Sequence, residues 1–229
     1  MTELLRIDVL PIVLTFFAFQ LGRWIQEKTK LAICNPILLG VVLVIVVLKA
    51  TAMPLEDYQQ GVKLISWLIT PATVCLAIPM YEQLQALRKN LTAILVGIVS
   101  GTLSCLAVLI VVSLLLGLDK AVAVSLLPKG ITTAIGLPLS ELYGGYGAIT
   151  TIGITVAGLS GYMFGPAWCK WLHITDPVAQ GVAFGTSSHV MGTARANALD
   201  PLIGAVSSLS LVVAGLMTAV IFPVLYAML

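Results

Sequence analysis

The chain predicts an all-α fold, a polytopic bundle of transmembrane helices, on three observations. Its 229 residues are 59% hydrophobic and only 10% charged, where soluble domains carry about a quarter charged residues. The charges are also bunched. None falls between Leu31 and Leu48, Leu64 and Tyr81, Leu91 and Leu118, Leu142 and Cys169, Pro177 and Ala194, or Pro201 and Leu229, and uncharged runs of about 18 residues or more are what a membrane span requires. Finally, an open sheet cannot satisfy its backbone in lipid, and these runs lack the polar alternation of a transmembrane barrel.

The first apolar run, Val9 to Gly22, is short. Two acids and an arginine precede it between Met1 and Asp8, and no small-residue cleavage site follows before Arg23. It therefore reads as a retained first helix, not a cleaved signal. The run from Leu31 to Leu48 contains Asn35 and Pro36. Leu64 to Tyr81 carries Pro71 and Pro79, each of which removes a helical donor and clashes one turn back, so a kink or unwound turn is expected. Leu91 to Leu118 is uninterrupted and reads as scaffold, while Ala121 to Leu142 is interrupted by Pro128, Lys129 and Pro138.

In the next run Gly153, Ala157, Gly161 and Gly165 recur every four residues. Such a stripe lets another backbone approach closely, within the bundle or in a homodimer. Pro177 to Ala194 is broken by glycines, Gly185 foremost, and Pro201 to Leu229 is plain apart from Pro223. The sum is seven to eight membrane segments in one domain spanning 1–229. Arg23, Lys28 and Lys30 after the first helix, with Arg88 and Lys89 after the third, place both loops in the cytoplasm and the N-terminus outside. Thr70 to Glu82 and Lys129 to Glu141 share an outline 59 residues apart, Thr73 with Thr132, Ala77 with Gly136, Pro79 with Pro138 and Glu82 with Glu141. They read as an internal repeat.

The stretch Gly185-Thr186-Ser187-Ser188-His189-Val190-Met191-Gly192-Thr193-Ala194-Arg195 is the least suited to lipid. An arginine at the bilayer centre costs about 3 kcal/mol on insertion scales, so it normally faces protein or a water-filled cavity. Broken helices free backbone groups that only protein, water or ligand can satisfy, and paired discontinuous helices with N-termini aimed at an anion recur in secondary carriers. Here Thr132, Thr133, Thr186, Ser187, Ser188 and Thr193 supply donors, Gly192 a close approach, and Lys129 and Arg195 positive charge without a matching buried acid, a set suited to a carboxylate. The other reading of the two cations is that they snorkel to the interface. His189 is either a hydrogen-bonded structural residue or, since imidazole titrates near about pH 6.5, a proton carrier.

Several classes are disfavoured. Ser188 and His189 are adjacent and diverge by about 100° on a helix, with no acid to orient the ring, so nucleophilic catalysis is not expected. Two histidines, His173 and His189, without HExxH or clustered carboxylates leave a catalytic zinc without ligands. No Walker lysine motif is present, no cofactor is called for, and a net charge of +2 does not suggest nucleic acid. Cys34, Cys75, Cys105 and Cys169 form no CxxC pair and read as packing residues.

Asn35-Pro36-Ile37-Leu38, Pro71-Ala72-Thr73-Val74 with Pro79-Met80-Tyr81-Glu82-Gln83, Leu127-Pro128-Lys129 with Thr132-Thr133, and the Gly185 to Arg195 stretch resemble, in order, the motifs of the LrgB/CidB family. Asp176-Pro177 and Gly204-Ala205-Val206-Ser207-Ser208-Leu209 extend the resemblance. It implies a bacterial inner-membrane, multi-pass protein, with a smaller LrgA/CidA-type membrane partner. It also implies one of two roles: a holin- or antiholin-like part in murein hydrolase export and lysis, or movement of glycolate, glycerate, lactate or pyruvate. Gly130 and Ala134 stand where the family has a serine and a second proline, which bears on substrate identity. A carrier on this pattern would bind through the residues above, with Asn35 completing the site, the breaks at Pro71, Pro79, Pro128, Pro138 and Gly185 gating it, and protons as a coupling ion.

Overall fold

The computed structural model describes residues 9–29, 34–75 and 77–229, apart from the side chains of Ile69, Thr70, Thr73 and Pro79. The described residues form helices and no strand. They fall into two compact units, Met1–Cys75 and Leu76–Leu229. In the first, α1 (Val9–Thr29) crosses α2 (Pro36–Thr51) closely, because Gly22 leaves no room for a Cβ beside the Pro36 carbonyl, which would lie 2.8 Å away. The short α3 (Leu55–Gly61) is tied back by the Tyr58 hydroxyl, 2.9 Å from Thr15, and α4 (Lys63–Cys75) follows.

The second unit contains α5 (Ala77–Glu82), α6 (Leu84–Lys89), α7 (Leu91–Leu115), α8 (Lys120–Leu126), a 3-10 turn (Leu127–Gly130), α9 (Thr133–Leu142), α10 (Gly147–Trp171), α11 (Pro177–Leu199) and α12 (Pro201–Met228). Across the chain, α1, α7, α10 and α12 are long and apolar enough to cross a membrane, and α2 is a shorter apolar helix. At 1.5 Å per residue the 25-residue α7 and α10 and the 28-residue α12 span roughly 38–42 Å, beyond the ~30 Å hydrocarbon core. α7 runs parallel to α12: Ile94 and Ile98 pack with Ala205 and Val206, Leu106 and Leu109 with Phe222 and Leu225. α10 runs the other way, its Cys169 meeting Ile203.

The two polar segments between these spans are hairpins. α11 breaks at His189, whose φ of 41° and ψ of −137° lie outside the helical region. In a straight helix Phe184 and Gly192 would stand about 12 Å apart, yet a Cβ on Gly192 would lie 2.6 Å from the Phe184 carbonyl. The chain therefore doubles back. Gly185 on the first arm and Thr193 on the second both meet Ser207, the latter hydroxyl to hydroxyl at 2.8 Å. Gly181 abuts Ile203 and Asn197 abuts Gly204.

Lys120 to Leu142 is built the same way around the 3-10 turn. Gly136 of α9 lies against Pro128, and Ser125 of α8 accepts a 2.7 Å bond from the Tyr146 amide beyond α9. Its ends lie together: the Lys120 ammonium sits 4.0 Å above the Tyr226 ring, and Tyr143 stacks at 5.1 Å on both Phe222 and Tyr226. This hairpin thus opens at the C-terminal end of α12, whereas the Pro177–Leu199 hairpin opens at its N-terminal end, by Ile203.

The apolar runs of 121–142 and 177–194 turn back at their breaks, Pro128 and His189, so each arm, about a dozen residues, reaches only some 18 Å. Gly185 stays helical, and the break falls four residues later. Pro71 and Pro138 sit inside α4 and α9; membrane helices tolerate an internal proline where neighbouring groups satisfy the freed carbonyl. Pro79 lies within α5, and its side chain is outside the described residues. Pro128 does fall in a break, at φ −84° and ψ 16°. Of the two segments that share an outline, 70–82 runs from the end of α4 into α5, and 129–141 runs from the 3-10 turn through the Thr132 cap into α9. A different correspondence exists: α7 with the hairpin after it, and α10 with the hairpin after it, are the same arrangement run in opposite directions.

Cysteine labelling from either face of oriented vesicles tests this topology. In a chain stripped of its own cysteines, Val178→Cys and Ala198→Cys label from one face, and Asp119→Cys and Leu142→Cys from the other. Labelling of Val178→Cys and Ala198→Cys from opposite faces would mean that Pro177–Leu199 crosses.

Candidate functional site

The tips of the two hairpins meet at mid-depth. Gly130 lies against the Thr186 carbonyl, 3.2 Å from where a Cβ would stand, and both residues share a small cavity with Ala214 and Thr218 of α12. Each tip ends one helix and starts another. The last carbonyls of one arm and the first amides of the next lack intrahelical partners there, and the amide ends carry the positive end of the helix dipole. Thr132 is the N-terminal cap of α9 with extended backbone (φ −69°, ψ 147°) and no capping bond from its side chain; Thr133 beside it is exposed. The second arm of α11 starts at Val190, also exposed.

Glycines seat the α11 tip against α10. A Cβ on Gly158 would lie 2.6 Å from the His189 ring, one on Gly161 would coincide with Ser188, and one on Gly165 would collide with Phe184. Through the Gly158 notch the imidazole reaches the main chain: Nε2 lies 2.9 Å from the Ile154 carbonyl. A carbonyl only accepts, so Nε2 carries the proton. Thr193, fully buried, donates to the His189 carbonyl at 2.9 Å and covers a group that the break would leave bare. Ser188 is buried and shares a 3.0 Å bond with Ser187, which is exposed and bonds Ala183 O at 2.7 Å; Thr186 bonds Val182 O at 2.7 Å.

The cations are separated. Lys129, half-buried in the 3-10 turn, has its Cβ against Gly153, whereas the Arg195 guanidinium lies 5.9 Å over the Tyr162 ring. Nine residues of α10 part these two points of contact, about 14 Å along its axis. Among the described residues Arg195 has no acid partner: the one salt bridge there joins Arg23 to Glu27 at 3.0 Å, and the Arg195 Nε is buried without a hydrogen bond. Asn35 lies in the other unit, where it caps α2 by accepting from Ile37 and Leu38 at 2.7 and 3.4 Å.

The glycine stripe of α10 is used internally, with Gly153 against Leu126, Gly161 against Ser188 and Gly165 against Phe184. It is not available as a homodimer face. Gly158 and Tyr162 lie outside the sequence patterns that mark the site. A strict period of four steps past Gly158, although helical faces alternate steps of three and four.

A family model described as the LrgB-like family matches residues 15–228. The chain is 35% identical over 213 residues, 93% of its length and of theirs, to the proteins named antiholin-like protein LrgB of Bacillus mycoides (strain KBAB4), Bacillus cereus (strain B4264) and Bacillus anthracis (strain CDC 684 / NRRL 3495). No solved structure matches.

Proposed function

The chain belongs to the LrgB-like family, and from that premise we propose that it is a secondary carrier of small mono- or hydroxycarboxylates across the bacterial inner membrane, with no covalent chemistry of its own. One observation carries this reading: two hairpins enter from opposite ends and bring the amide starts of α9 and of the second α11 arm to one depth, the arrangement by which broken helices hold an anion midway through a membrane. Lys129 at the tip adds the compensating charge, and the Thr132, Thr133 and Ser187 hydroxyls add donors. Arg195, unpaired and stacked on Tyr162, offers an anion a second contact nearer the end where Arg88 and Lys89 lie, the cytoplasmic end by charge. Rocking of the hairpins against α7, α10 and α12 alternates access. The structure favours His189 as a latch of the tip. An LrgA-type small membrane subunit is the partner this family reading suggests.

The second reading, an antiholin-like regulator or pore, is favoured by the name antiholin-like that the relatives carry. It differs in one measurable respect, saturation. In proteoliposomes the carrier gives saturable uptake of glycolate, glycerate, lactate or pyruvate, which Lys129→Gln and Arg195→Ala reduce at least tenfold in protein that remains monodisperse. Leakage that does not saturate and ignores both substitutions would exclude the carrier and favour a pore.

A further inference from the structure

We propose that Thr102 is a specificity-determining residue of the carboxylate site and pairs with the oxygen on C2 of a 2-hydroxy or 2-oxo acid. The inference rests on the carboxylate reading above and narrows which acids it admits. Thr102 lines the small cavity between the hairpin tips. It is 4% exposed, and its Oγ1 is buried with no hydrogen-bond partner among the described residues, not even a carbonyl of its own helix. A buried hydroxyl left bare is unfavourable, so the site favours whatever group completes it.

Size limits that group. The cavity is about 10 Å³, room for a single water-sized sphere. A carboxylate does not fit, whereas one oxygen or one methyl does. Polarity separates those two. Apolar side chains and the Cys105 thiol make up most of the wall, and no acid lines it among the described residues. Thr186 and Thr218 also line it, but their protons are committed to Val182 O at 2.7 Å and Ala214 O at 2.8 Å. Of the three threonines in the wall, Thr102 alone has an uncommitted proton. A threonine hydroxyl both donates and accepts, so it pairs with a C2 hydroxyl or a C2 carbonyl, while a methyl or hydrogen in that place leaves it bare.

Position agrees with size and polarity. Gly130 and Ile131 line the cavity, Thr132 follows as the cap of α9, and a Cβ on Gly130 would stand 3.8 Å from the Cys105 sulfur. Lys129, one residue earlier, is close enough to Cys105 to act on it electrostatically. The cation and the amide start of α9 assigned to the carboxylate therefore flank the cavity on consecutive residues, as C1 and C2 are consecutive atoms of a small acid. With the carboxylate held there, the C2 substituent is the group presented to Thr102. A site that hydrogen-bonds one substrate oxygen rejects the analogue lacking it, because the buried partner is then left unpaired.

Lactate and propionate share skeleton and charge and differ in the C2 hydroxyl. Thermal unfolding of the purified full-length chain in detergent, titrated with each acid at neutral pH and constant ionic strength, tests the assignment. In the native chain lactate gives its half-maximal shift at a concentration at least tenfold below that of propionate. Thr102→Val keeps the shape, removes the bare oxygen without loss of folding, and brings lactate to the level of propionate. Thr102→Ser keeps the preference, and Lys129→Gln weakens both acids together. A preference that survives in Thr102→Val, or no preference in a native chain that binds both acids, overturns the role of Thr102 and leaves the carboxylate site standing. Binding of neither acid overturns the carboxylate reading itself, and the role of Thr102 with it.

Discussion

Replacing Gly161 by valine prevents the Pro177–Ser188 arm from seating on α10, and folded, monodisperse protein is lost. The Cβ that any other residue brings to position 161 falls on the Ser188 side chain. Ser188 cannot withdraw, since it sits one residue from the His189 turn and on the arm whose other face is held by Ser207 and Ser210 against Gly185. Overpacking of this kind costs about 1–3 kcal/mol for a methyl and more for a branched side chain, against a total stability of about 5–15 kcal/mol. Gly161→Ala therefore lowers the unfolding midpoint measurably, and Ser188→Gly in the same chain restores part of the loss. Gly40→Ala serves as the comparison, because its new methyl stands 3.7 Å from the nearest atom, an ordinary contact, and stability is unchanged. Equal midpoints for Gly161→Ala and Gly40→Ala would mean that the arm does not pack on α10 as described.

The helical class was legible from bunched charges and hydropathy, and the plain runs over Leu91–Leu118 and Pro201–Leu229 correspond to α7 and α12. That polarity marks interrupted helices was legible too. What composition could not supply was the direction of the chain after each interruption. A helix kinked at a proline and one reversed at a tip have the same hydropathy, and the deciding feature at 189 is the backbone of a histidine, a residue with no strong left-handed preference. Gly185 drew attention as the breaker although its role is to let α12 approach. The absence of a side chain serves close packing as often as a turn, and sequence alone does not separate the two uses.

The site was legible by residue type and less so by arrangement. Thr132, Thr133, Thr186, Ser187 and Lys129 all lie at or beside the two tips. Arg195 shares the polar stretch with Thr186, but reversal of the chain carries it back along α10 to Tyr162. Linear proximity within the 11 residues from Gly185 to Arg195 implies a common site, and the hairpin removes that implication.

His189→Ala lowers carboxylate flux at least tenfold, whereas His189→Gln retains most of it, and uptake driven by an imposed pH gradient persists in the glutamine variant. A non-glycine residue at φ 41° and ψ −137° costs on the order of 1–3 kcal/mol and persists only where its surroundings over-determine it. Those surroundings are the Gly158 notch, the 2.9 Å bond to Ile154 O, and the Thr193 bond that covers the His189 carbonyl. Alanine forfeits the ring bond, about 1 kcal/mol, and leaves the notch empty at a further cost of a few kcal/mol. Each 1.4 kcal/mol is tenfold in the population of the docked tip. Glutamine supplies a neutral N–H donor of similar reach and cannot carry a proton, so it preserves a latch and abolishes a relay. His189→Gly separates the remaining contribution: it relieves the backbone cost yet loses ring and bond, and falls between the other two. Flux in His189→Gln that no longer responds to the pH gradient would instead make the imidazole the proton carrier, with the Ile154 carbonyl as its resting partner.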